Sequence, residues 1–235
     1  MINTEFFKLN DTLRSGSYNA LAKIIRNAEI YLHKIDNEYE LKKQKNSKLS
    51  IFFIVEGEAR FNGKDLPEFT TVIPSTNQEY VFFSKRASIL EIELNLCEEQ
   101  IKETSEKLPL IIKYSETRAY KEDCKSEKTT SRMILDDGVI PCFAMGSVET
   151  CGPDCVAEHE HANVDQFFFS LPGTETYLTV SGEKLLFPEK TAMHVPLGSS
   201  HGVAVDEGAK LHYLWCDFYL DETTSDYIKT AHKFI

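Results

Sequence analysis

The sequence has no apolar run approaching the roughly 20 residues that cross a bilayer as a helix. Its first residues, MINTEFFKLNDTLRSG, lack a basic stretch followed by an apolar core, so no secretory leader is expected. Positive charge is also scarce: 26 Lys and Arg against 37 Asp and Glu give a net charge of -11. A surface of that sign repels phosphate backbones and anionic lipid, which argues against nucleic-acid or membrane partners. No helix-turn-helix pattern or basic stripe points the other way. Helical periodicity is confined to CEEQIKETSEKL (97–108) and TTSDYIKTAHKF (223–234). The six cysteines are scattered, and without a leader they are expected as reduced thiols in a cytoplasm. CGPDC (151–155) has neither thioredoxin spacing nor the second cysteine pair of a zinc site.

What is present is a succession of short alternating apolar runs separated by turn residues. AEIYLHKI, SIFFIVEGEARFNG, EYVFF and SILEIEL fill the first half, and CFAMGSVET, DQFFFSL, TYLTVSG, TAMHVP and LHYLWCDFYL the second. Strands of this length and spacing predict an all-β protein of sandwich or barrel type. At 235 residues the chain accommodates two small domains or one large one. The segment YSETRAYKEDCKSEKTTS (114–131) is almost wholly polar and reads as a linker or surface excursion. The expected division is therefore 1–113, a polar linker 114–131, and 132–235.

The two halves repeat an order of features. IVEGEARFNG followed by TTVIPSTNQEY matches SLPGTETYLTVSG followed by AMHVPLGSSHG: strand, glycine turn, strand, glycine turn, then an apolar strand ending in proline. A duplicated barrel is the expectation.

The chemistry-bearing stretch is EHEHANVDQ (158–166). On a strand, residues i and i+2 share a face, so His159 and His161 would enter one interior together. Gln166 follows a tight connection and can return to the same centre, and PLGSSHG supplies His201 from a turn shaped by Pro196 and Gly198. Glu158 and Glu160 alternate with the histidines and should face solvent.

These residues resemble the cupin superfamily, whose first motif is G-x5-H-x-H-x3-4-E-x6-G and whose second ends in P-x-G-x2-H. Gly152 stands one residue further from His159 than the motif asks. His159, His161, Gln166 and Gly173 then follow in register, and Pro196, Gly198 and His201 complete the second motif. The resemblance implies two jelly-roll barrels, with His159, His161, Gln166 and His201 as ligands of one divalent ion in the second. Three positions depart from it: Gln166 replaces a glutamate, Lys190 a glycine and Val205 an asparagine. The same template laid on the first half puts Lys43, Lys45 and Ser50 at the ligand positions and Glu79 opposite His201. Protonated lysines offer no lone pair, and His33 is the one histidine of that half, so a metal-free, degenerate N-terminal barrel is expected.

An imidazole-rich set suits zinc, iron, nickel, manganese or copper. An amide in place of the carboxylate is expected to leave the ion its full double charge, favouring an anionic ligand. His194 and His212, in apolar strands, are candidate proton shuttles if they face the cavity, and Tyr177, Tyr213 and Trp215 are candidates for its mouth. The expected function is a metal-dependent isomerase, ring-opening enzyme or lyase acting on a sugar acid, keto acid or similar small chelator. An iron-dependent dioxygenase and a non-catalytic small-molecule sensor are the alternatives. The expected partner is a small-molecule substrate; a homodimer is left open, since cupin-like sheets often pair.

Overall fold

A computed structural model describes residues 6–8, 16–21, 24–35, 39–43, 48–76, 79–220 and 233–234. The chain divides into two compact units, Leu9–Glu116 and a second made of Thr117–Ile235 with Met1–Lys8. The first short strand, β1 (Phe6–Lys8), thus belongs to the second unit, where it pairs with Thr191–Met193.

The N-terminal unit contains β2 (Gly16–Asn19), β3 (Ala28–Ile35), β4 (Tyr39–Lys43), β5 (Leu49–Phe61), β6 (Lys64–Leu66), β7 (Thr70–Ile73), β8 (Tyr80–Leu94), α1 (Glu98–Ser105) and β9 (Leu110–Lys113). Its antiparallel sheet runs β2-β3-β8-β5-β7-β9, with β4 also on β8 and β6 on β5. The β-branched and aromatic run SIFFIV explains why β5 is a strand buried on both faces. Phe52, Ile54, Val72, Phe82 and Ile89 form its interior, each contributing about 1.5–3 kcal/mol on burial. The same interior holds charge. His33 Nε2 lies 2.8 Å from Glu91, both fully buried, and Ser17 Oγ lies 2.7 Å from His33 Nδ1. A carboxylate only accepts, so the Nε2–H of His33 donates to Glu91, while the Ser17 hydroxyl holds the other ring nitrogen. The helix expected over 97–108 forms at Glu98–Ser105, its entry closed by Gln100 accepting from the Cys97 N–H.

The C-terminal unit adds β10 (Arg118–Lys121), β11 (Thr130–Ile140), β12 (Phe143–Cys151), β13 (Asp154–His159), β14 (Val164–Ser170), β15 (Glu175–Val180), β16 (Glu183–Pro188), β17 (Thr191–Val195), β18 (His201–Val205), β19 (Lys210–Tyr219) and β20 (Lys233–Phe234). One sheet runs β1-β17-β14-β19-β12-β11-β10-β20 and the other β13-β18-β15-β16. Val148, Phe168, Met193, Leu211 and Trp215 of the large sheet cluster with Val156, Leu178, Phe187 and Val203 of the small one. Gly146 permits that packing: a Cβ there would stand 2.3 Å from the Trp215 ring.

Two expectations change here. The segment 114–131 is not a structureless linker: Arg118–Lys121 form β10 in the large sheet, and Lys125 bridges Val156. Several of its polar residues, Lys121, Lys125 and Thr129 among them, bond to protein atoms, which periodicity could not signal. The helix expected over 223–234 lies mostly outside the described residues, and Lys233–Phe234 pair as a strand with Tyr120–Lys121. Lys45 also falls outside them. Among the described residues no helix is long and apolar enough to cross a membrane.

Candidate metal centre

The centre is built between the two sheets of the C-terminal unit. β13 ends at His159, which stands directly across from His201, the first residue of β18. His201 is delivered by the turn Pro196–Ser199, closed by a 3.0 Å bond from the Ser199 N–H to the Pro196 carbonyl. Gly198 adopts φ +69°, the conformation this turn demands at its third residue. His161 lies just past the end of β13, so it reaches the site from a turn and not, as expected, from the strand itself. Ring centroids are 5.0 Å apart for His159 and His161, 4.5 Å for His159 and His201, and 5.5 Å for His161 and His201. One nitrogen from each lies within 4.8 Å of the others.

The tautomers suit ligation. His159 Nδ1 is 2.8 Å from the Ala157 carbonyl and His201 Nδ1 is 3.2 Å from the Ser199 carbonyl. Carbonyls only accept, so both Nδ1 atoms carry protons and both Nε2 lone pairs are left for an ion. Burial, followed by the neighbouring His159 and His161, lowers His201 from its ordinary value to about 3. His201 is therefore a neutral imidazole, the form that donates to metals.

Gln166 comes from the opposite sheet and lines the same cavity of about 30 Å³. Its Nε2 donates to Asp217 Oδ1 at 2.8 Å, and both side chains are buried. Because a carboxylate cannot donate, the amide nitrogen must face Asp217, and Oε1 is the atom left as a donor. Sequence reading missed Asp217, which alters the charge account. The negative charge removed at position 166 returns one hydrogen bond away, so the site does not present the uncompensated double charge expected from the glutamine alone.

Strand parity sorts the remaining candidates. Gln166 and Phe168 are register partners of Asp217 and Trp215, so these four face one way. His194 pairs with Phe167, and His212 precedes the cavity-lining Tyr213. Both histidines therefore occupy the face opposite the cavity, which corrects their expected role there. His194 Nε2 instead lies 2.6 Å from Asp165, and burial lowers His212 to about 4. Tyr213 and Trp215 do line the cavity, whereas Tyr177 lies outside it, under the Lys184 ammonium at 4.1 Å. Lys190, where the motif has glycine, adopts φ +57°. Cys151 and Cys155 are exposed free thiols away from the cavity.

The wall that the sequence did not reveal comes from 120–131: Tyr120, Glu122 and Lys125 all line the cavity. Lys125 pairs with Glu122 and donates to Ser131 Oγ at 3.0 Å. The segment is fastened to β13, since the Ala157 N–H donates to the Cys124 carbonyl at 3.0 Å. Asp154 anchors its far end, accepting from Thr129 at 2.9 Å and Thr150 at 2.5 Å. Burial pushes the Asp154 carboxyl up, but bonds from Thr150, Ser126, the Cys155 N–H and Thr129 outweigh it and hold the carboxyl below its ordinary value.

No family model and no curated protein matches the sequence. Solved structures do. A cupin 2 conserved barrel domain protein from Leptotrichia buccalis is 15% identical with a TM-score of 0.62, covering 91% of this chain and 96% of its own. Oxalate decarboxylase from Lactobacillus farciminis, in a formate complex, is 9% identical with a TM-score of 0.69, covering 94% and 89%. AerE from Microcystis aeruginosa is 11% identical with a TM-score of 0.64, covering 92% and 96%. At these identities the likeness is one of fold: the chain has the fold of the cupin proteins.

Proposed function

We propose that the protein is a bicupin whose C-terminal barrel binds one divalent ion through His159, His161, His201 and Gln166, and that it is an enzyme acting on a small polar or anionic substrate. The observation that carries this reading is the meeting of three imidazoles, two with Nε2 turned away from the carbonyls that bond Nδ1. Gln166 fits as a fourth donor because Asp217 orients its amide and increases the electron density on its oxygen. Nitrogen donors around zinc stand about 2.0–2.1 Å from the ion, which a cluster this tight accommodates with small side-chain shifts.

When bound, such an ion supplies a Lewis acid with coordination positions for an oxygen-donor substrate. The chain's own residues supply the rest. Phe168, beneath His201 at a centroid distance of 5.4 Å, and Tyr213, 5.1 Å from Phe168, form an apolar floor that excludes water. Glu122 and Lys125 set fixed charges at the wall. This set fits isomerisation, ring opening or elimination of a sugar acid or keto acid.

The two-barrel reading is supported by coverage and by register. A single Lactobacillus farciminis chain aligns with 94% of this one, so the match extends over both units. Within each unit the pair before the glycine turn corresponds: Gln166 faces Asp217 ahead of Gly173, and Ser50 faces Glu93 ahead of Gly57. In the N-terminal unit Lys48 meets Glu93 at 2.7 Å and His33 is held by Ser17 and Glu91. We take that barrel as degenerate and metal-free.

Elemental analysis of protein purified without chelator, followed by anaerobic turnover of candidate acids, tests the assignment. One bound divalent ion with oxygen-independent turnover is expected; an apoprotein that takes up no ion on soaking contradicts it.

A further inference from the structure

Among the described lysines of the C-terminal unit, Lys125 is the one built into the wall of the histidine cavity. Its side chain is only 7% exposed, and its partner Glu122 10%. Its backbone is pinned to β13, by the Lys125–Val156 bridge and the Ala157 to Cys124 bond. An ammonium has three protons. One is directed to Glu122 and one to Ser131, while the remaining neighbour is the Tyr120 ring face, 5.4 Å away. Among the described residues the third proton has no oxygen acceptor, on a side chain that shares its cavity with His159, His161 and His201.

Charge and size point to the same kind of ligand. With a dication held by the histidines, which must be neutral to ligate it, the lining residues Lys125, Glu122 and Asp217 would leave the cavity a surplus of one positive charge. Leaving a buried charge uncompensated is costly, and a monoanion removes the imbalance. A cavity of about 30 Å³ admits an ion and a few atoms, so only one end of the ligand is enclosed.

We propose that Lys125 anchors the carboxylate of a small 2-oxo or 2-hydroxy monocarboxylic acid that chelates the ion held by the three histidines. This rests on the metal-centre reading above and narrows its substrate class. Glu122 serves as a positioning residue, holding the ammonium toward the ion.

The test uses calorimetric titration of the full-length protein, first with zinc and then, on the zinc-loaded protein, with pyruvate and its uncharged analogue pyruvamide. Lys125→Gln keeps a hydrogen-bond donor for Glu122 while removing the charge; Lys125→Arg keeps the charge. Zinc should bind the Gln variant at least as tightly as the wild type. Pyruvate affinity should fall roughly ten- to hundredfold in Lys125→Gln, the range of a lost charge-assisted hydrogen bond. It should recover in part in Lys125→Arg, and pyruvamide should bind both proteins alike. Should Lys125→Gln fail to fold, Glu122→Gln/Lys125→Gln removes both charges and carries the same expectation. Equal pyruvate affinity in wild type and variant overturns the proposal, as does equal weakening of pyruvamide. Zinc uptake without pyruvate binding overturns the anchor alone, whereas no zinc uptake by the wild type removes the metal centre and this proposal with it.

Discussion

Gln166 and Asp217 stand opposite each other on neighbouring strands, and the glutamine amide donates to the carboxylate at 2.8 Å between the two sheets of the C-terminal unit. This bond does two things. It fixes which amide atom faces the imidazoles, and it keeps a negative charge near the site without making it a ligand.

The pair should behave as a unit under charge exchange. Gln166→Glu alone places two carboxylates in contact, so one must take up a proton or the site must open. Asp217→Leu alone releases the amide and should cost about 10–100-fold in metal affinity, as is typical when a ligand loses its orienting partner. Gln166→Glu/Asp217→Asn restores one carboxylate and one amide in exchanged positions and should bind metal within about threefold of the wild type. Dissociation constants for this double-mutant cycle, measured with zinc, check the coupling. Additive effects would show that the two residues act separately.

Parity along β17 and β19 predicts where substitution should have no effect on metal. His194→Gln and His212→Gln alter the face opposite the cavity, so zinc affinity should stay within about twofold in both, against a loss of at least tenfold in His201→Ala. A large loss in either Gln variant would contradict the register described here.

Acid should destabilise the metal-free protein through its buried imidazoles. His201 is lowered to about 3 and His212 to about 4, in both cases chiefly by burial. Their unfolded-state values are near 6.5, so the unfolded chain binds protons that the folded chain refuses. The stabilisation is complete above pH 6.5 and declines as pH falls through the window down to about 4 for His212 and about 3 for His201. Each group forfeits roughly 2–3 kcal/mol by pH 4.5. Urea unfolding at pH 7.0 and 4.5 should show His212→Gln losing less stability than the wild type between the two. An identical loss would mean that His212 is not excluded from water.

The Asp154 clamp should control the order of the cavity wall. Asp154→Ala removes the acceptor of Thr129, Thr150 and the Cys155 N–H. Hydrogen exchange at Ala157, whose N–H donates to Cys124, should accelerate by an order of magnitude or more, with exchange in β5 unchanged. Unaltered protection at Ala157 would show that the segment is held by other contacts.

The all-β class and the convergence of His159, His161, Gln166 and His201 on one cavity were legible because they depend on local pattern: alternation, glycine turns and residue spacing. Asp217 escaped because its significance is a cross-strand register, Gln166 against Asp217, that one strand does not reveal. It was nevertheless within reach, since in LHYLWCDFYL it shares parity with Tyr213 and Trp215. The same parity separates His212 from the cavity, as the pairing with Phe167 does for His194. Glu122 and Lys125 had no such signal. In a polar segment without period, nothing distinguishes side chains bound for solvent from those that Asp154 and Ala157 fasten to a cavity wall.

Metal stoichiometry in wild type and His201→Ala bears most directly on the whole account. Elemental analysis after zinc loading and desalting should find one ion per wild-type chain and a small fraction of that in the variant. Equal occupancy in the two proteins, or none in either, would contradict it.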